Sequence, residues 1–61
     1  MTALPKIGGP ATNALAALGI TTLEEVARLS EKELLAQHGI GAKAVRILRE
    51  ALAAQGRELQ S

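Results

Sequence analysis

Gly39-Ile40-Gly41 runs straight into a segment carrying Lys43 and Arg46. These residue types at this spacing suit the capture of an anion rather than bond chemistry. A glycine turn lets the backbone approach a ligand closely. A helix starting at Ala42 has unpaired N–H groups in its first turn, and its dipole favours negative charge there. Gly41, Ala42 and Lys43 would then present amides to a phosphate oxygen, with Lys43 adding charge and Arg46 following one turn on. Gly41 is expected to need a backbone geometry closed to other residues. Lys43 opposes the helix dipole by a few tenths of a kcal/mol, a conflict that a bound anion would remove.

Other chemistry is poorly supplied. The acids Glu24, Glu25, Glu31 and Glu33 lie near expected helix starts, where capping and the dipole account for them. His38 is the one histidine and there is no cysteine, so thiolate metal sites and disulfides are excluded. His38 could cap the preceding helix or touch a phosphate. No pairing of nucleophile and base can be identified, and the chain is expected not to be an enzyme. With no Phe, Tyr or Trp, base stacking on aromatic side chains is excluded as a mode of single-strand binding.

The elements that must position these residues follow from punctuation and period. Pro10 suits a first helical turn, and Ala11 to Leu18 carries an apolar stripe of Ala14, Leu15 and Leu18 closed by Gly19. Thr21 with Glu24, or Thr22 with Glu25, has capping-box spacing, and Ser30 with Glu33 repeats it. Leu23, Val26 and Ala27 face inward from one short helix, and Leu34 and Leu35 belong to the next. The last helix spans about 42–55 with Ala44 or Val45, Leu48, Ala51 and Leu52 inward and Gly56 as its stop. Residues 57–61 are expected to fray, and a helical turn before Ile7 is limited by Pro5. The expectation is an all-α domain over residues 1–61, its connecting helices at about 22–36.

A 61-residue chain permits one domain with a thin core. Its formal net charge is +1, but the charge is unevenly placed. Residues 21–38 balance to −2 and residues 39–61 to +2, so a basic patch belongs mostly to the C-terminal part. Apolar runs fall short of the roughly 18 residues of a spanning helix. A secretory signal pattern is lacking, and a cytoplasmic location without membrane partners is the default.

An internal repeat links both ends. With an offset of 33 residues, Ile7, Gly8, Ala11 and Leu15 fall on Ile40, Gly41, Ala44 and Leu48. Gly9 falls on Ala42 and Asn13 on Arg46. The halves are about 4–18 and 37–55.

The segment from His38 to Leu48 resembles the helix-hairpin-helix family of DNA-binding modules, whose glycine–apolar–glycine hairpin leads into a basic residue and an apolar helix. The weaker segment Leu4-Pro5-Lys6-Ile7-Gly8-Gly9-Pro10-Ala11 departs from it. Lys6 stands where the first hairpin glycine is usual, and Pro10 where Lys43 stands in the repeat. Residues 4–55 are also similar to the C-terminal domain of the bacterial RNA polymerase alpha subunit, which shares a helix-hairpin-helix-like core. The resemblance implies a four- to five-helix SAM-like domain with two such motifs. It implies largely nonspecific binding of double-stranded DNA through Gly39, Ile40, Gly41, Ala42, Lys43 and Arg46, and a second, weaker clamp at Lys6, Gly8, Gly9 and Asn13. It implies no cofactor, although hairpin carbonyls of this family can hold a monovalent cation. The alternative is a protein-interaction module, with a partner or a second copy meeting the acidic 24–33 surface.

Overall fold

Two serine/threonine–glutamate pairs organise the middle of the chain. In the computed structural model, which describes residues 2–60, four helices form: α1 (Gly9–Ala17), α2 (Leu23–Val26), α3 (Glu31–Leu35) and α4 (Ala42–Ala53). Thr22 caps α2, its hydroxyl accepting from the Glu25 N–H at 3.3 Å while the Glu25 carboxylate accepts from the Thr22 N–H at 3.1 Å. Of the two alternative capping pairs, Thr22 with Glu25 is therefore the one that forms. Ser30 and Glu33 do the same for α3, at 3.0 and 2.8 Å. These reciprocal bonds let helices of only 4 and 5 residues persist, because each satisfies amides that a short helix would otherwise leave bare. Among the described residues there is no strand, only two isolated bridges.

Helix α1 begins two residues earlier than its apolar stripe, with Gly8 as N-cap and Pro10 in its first turn. It ends at a left-handed Gly19 (φ 78°). The N–H of Gly19 donates to Ala16 and that of Ile20 to Leu15, both at 2.9 Å, and Ile20 folds back into the core. Gly56 (φ 72°) reverses the chain after α4 with the same pair of bonds, to Ala53 and Leu52. Leu15, Val26, Leu34, Leu48 and Leu52 are fully buried and bring all four helices onto one cluster. Leu18, expected in the inward stripe, is 46% exposed, and so is Leu35. Each ends its helix on the solvent side, where the stripe has rotated off the core.

Both chain ends depart from the expectation. No helical turn precedes Ile7. Instead Thr2 accepts from the Leu23 N–H at 2.9 Å, and Ala3 pairs antiparallel with Thr22. Residues 57–60 do not fray. Leu59 packs against the core, and Gln60 donates from its backbone to Leu29 at 2.9 Å and from its side chain to Ala27 at 3.2 Å. The acceptors lie just past the end of α2, where no continuing helix receives the carbonyls of Ala27 and Leu29, and Gln60 supplies the donors. Ser61 lies outside the described residues.

The N-terminal tether carries a pH dependence. The Thr2 N–H donates to Glu24 at 2.7 Å, and that bond holds the Glu24 carboxyl down at about 2. A depressed carboxyl contributes stability that is complete above its unfolded pKa of about 4.3 and is lost as pH falls through the folded value. Glu24→Gln is therefore expected to lower the thermal midpoint at pH 7 and to flatten its decline between about pH 4.3 and 2. Melts followed by circular dichroism across that range check this; parallel curves for the two chains would contradict it.

Candidate nucleic-acid interface

The turn between α3 and α4 is built around Gly39. Its φ of 99° is a conformation that side chains disfavour. The Ile40 N–H donates to Gln37 at 3.2 Å, and Ile40 is buried, pinning the turn to the core. A Cβ at Gly39 would lie 2.8 Å from the Pro10 carbonyl oxygen. The expectation placed on Gly41 is thus corrected. Gly41 has φ −107° and ψ −177°, extended backbone that any residue adopts, and a Cβ there would meet nothing within 4 Å. The residue that must be glycine is Gly39.

Gly41 instead serves as the N-cap of α4. Its carbonyl accepts from the Val45 N–H at 3.1 Å, and it has no side chain with which to cap. The amides of the first turn, from Ala42 onward, have no carbonyl four residues back to bond. Gly41, Ala42 and Lys43 are exposed to solvent, so these amides are within reach of a ligand. Lys43 and Arg46, also exposed, are three residues apart and so lie on neighbouring parts of the helix surface.

The first turn is related but not equivalent. Gly8 is the N-cap of α1, and its carbonyl accepts from the Thr12 N–H at 3.0 Å, as Gly41 does from the residue 33 positions on. Ala11 and Ala44, Leu15 and Leu48 are all buried. The repeat therefore holds for the helix starts and their inward faces. It fails for the turns themselves, since the positive φ belongs to Gly8 in one and to Gly39 in the other. Pro10 also removes an amide from the first turn of α1, and Ala11 is buried. That leaves Gly9 as the open donor, flanked by exposed Lys6 and Asn13. Contact between Gly39 and Pro10 puts both turns at one end of the molecule.

A contrast among the helix starts sharpens this. Helices α2 and α3 have side-chain caps and two glutamates each in their first turns. Helices α1 and α4 have glycine N-caps, no side-chain cap and no acid. The positive ends of α2 and α3 are neutralised within the chain, and those of the repeat helices are left open.

Two arginines add to the basic surface that the sequence reading set aside. Arg49, which sequence alone reads as plain surface or a partner of Glu50, reaches Glu31 on α3, at 3.1 Å. Together with Ala42 and Arg46 they line a small cleft of about 210 Å³. Arg57, expected to be mobile, is held by the Leu52 carbonyl at 2.9 Å. The spacing of Arg46 and Arg49 on one helix was the signal available for Arg49; Arg57, past the left-handed Gly56, lies off the helix and had none. His38 is exposed, and the Gln37 side chain beside it donates to the Glu33 carbonyl of α3 at 3.4 Å. Among the described residues no group of three His, Cys, Asp or Glu side chains could hold a metal ion, and no helix is long and apolar enough to cross a membrane. Comparison with known protein families, with curated proteins and with solved structures found no match to this chain.

Proposed function

We propose that this chain is a non-catalytic helix-hairpin-helix module of SAM-like architecture that grips the phosphate backbone of duplex DNA without reading sequence. The observation that carries the reading is the uncapped, glycine-led start of α4 beside Lys43 and Arg46. A phosphate there would accept from first-turn amides and gain the attraction of both cations. The turn at Gly8 and Gly9 adjoins it and would add a weaker hold, with Lys6 for charge and Asn13 as a neutral donor. Such contacts position a duplex and carry no base readout.

Three or four phosphates contacted give a logarithmic salt slope of about −3 and dissociation constants of roughly 10⁻⁴ to 10⁻⁶ M. Lys43→Ala and Arg46→Ala are each expected to weaken binding of a labelled duplex and to reduce the slope by about one. Fluorescence anisotropy at several salt concentrations measures both quantities. Wild-type affinity in both variants would remove the proposed grip.

The competing picture of an acidic docking surface at residues 24–33 is less well supported. Three of its four carboxylates are already engaged, Glu24 by Thr2 and Glu25 and Glu33 in the capping boxes, and Glu31 meets Arg49 in an exposed pair.

A further inference from the structure

We propose that the groove between the outer face of α4 and the returning C-terminal segment binds an acidic, leucine-bearing segment of a partner protein. The groove has a volume of about 460 Å³. One wall is α4. The other exists because Gly56 reverses the chain and Gln60 is bonded to Leu29 and Ala27, which holds residues 57–60 in place.

Its chemistry is mixed. Arg46, Arg49 and Arg57 line it, together with Glu50, Glu58 and the apolar surfaces of Ala53 and Leu59. Glu50 and Glu58 share the groove, yet neither forms an ion pair with Arg46 or Arg57 among the described residues. Arg49 does pair with Glu31, but both side chains are half or more exposed. A water-exposed pair of this kind is weak and is readily exchanged for another carboxylate. Guanidinium groups hold carboxylates through two parallel hydrogen bonds. Ala53 and Leu59 offer an aliphatic side chain a surface to cover.

The same inventory disfavours nucleic acid as the occupant. Three arginines against two glutamates leave the lining with an excess of one positive charge. A run of phosphates carries a charge at every step and would meet both carboxylates at close range, whereas a peptide can set its carboxylates against the arginines and its leucine beside Ala53 and Leu59. The far end of the groove also lies beyond the end of α4, about 16 Å along the helix axis from the amides at Ala42. Arg46 at the near end belongs to both sites, whereas Arg49, Arg57 and Leu59 take no part in the proposed phosphate grip.

The test is titration of the whole chain with a short fluorescein-labelled peptide in which paired glutamates flank single leucines. Binding is expected. Arg49→Glu and Arg57→Glu are each expected to weaken it by about tenfold or more, whereas Lys43→Ala leaves it unchanged. Thermal melts establish that the variants fold, and Arg57→Gln replaces any charge reversal that does not. Absence of peptide binding overturns the proposal. So does equal affinity for the peptide with glutamine in place of glutamate, or displacement by duplex together with an equal loss in Lys43→Ala.

Discussion

Gly39→Ala is expected to destabilise the fold by about 2–4 kcal/mol, although it adds a single methyl group to an exposed turn. Two costs coincide at this position. The φ of 99° is strained for any residue with a Cβ, a penalty of about 1–3 kcal/mol. The new Cβ would also sit 2.8 Å from the Pro10 carbonyl oxygen and 3.2 Å from its carbon. Both atoms are backbone in the first turn of α1 and have no rotamer into which to retreat. Either α1 or the α3–α4 turn must move, and Ile40 ties that turn to the core. A chain of this size commands a total stability of only about 3–9 kcal/mol, so the thermal midpoint should fall by about 10 °C or more. Gly41→Ala is the control. Its φ of −107° and empty surroundings predict a change of no more than about 1 kcal/mol, from the N-cap preference alone. Circular dichroism melts of both variants decide the matter, and equal midpoints would refute the turn geometry.

The two glycines show where the sequence is informative and where it falls silent. Periodicity reports which residues face inward, so Leu15, Val45, Leu48 and Leu52 could be assigned to the core before any coordinates. Capping boxes report helix starts through local hydrogen bonds, and Ser30 with Glu33 was legible for that reason. Which glycine of Gly39-Ile40-Gly41 takes the positive φ depends on a contact with Pro10, 29 positions away. No local rule encodes such a contact. The docking of residues 57–60 belongs to the same class, because the acceptors for Gln60 lie at Ala27 and Leu29.

For the candidate interface, Lys43 and Arg46 were legible as cations near a glycine-led helix start. The neighbourhoods of Arg49 and Arg57 were not. Arg49 has an acid next to it in sequence, at Glu50, but its ion pair is with Glu31 of α3, at 3.1 Å. Arg57 lies past a helix stop, a place where chains commonly fray. Only the return of the chain to Leu29 fixes it beside α4.

Gly41→Asp is expected to move stability and duplex binding in opposite directions. The backbone at Gly41 already lies in the extended region used by Thr22 (φ −131°, ψ 158°) and Ser30 (φ −91°, ψ 162°), the two residues that do cap their helices. An aspartate there has open space for its Cβ and can accept from first-turn amides. Its charge also complements the helix dipole. The gain should be from a few tenths to about 1 kcal/mol, raising the midpoint by several degrees. The same carboxylate would occupy the amides proposed to hold phosphate and repel the ligand beside Lys43. Affinity for a labelled duplex at low salt should fall by about tenfold or more. A merely structural turn predicts the stabilisation without the loss of binding, so duplex affinity retained in a folded, stabilised variant would sink the DNA reading. Gly41→Ser separates the contributions, since it caps without charge and should weaken binding less. The chain caps α2 and α3 with serine or threonine and forgoes that stabilisation at α4, and it is this opening that the proposed phosphate would fill.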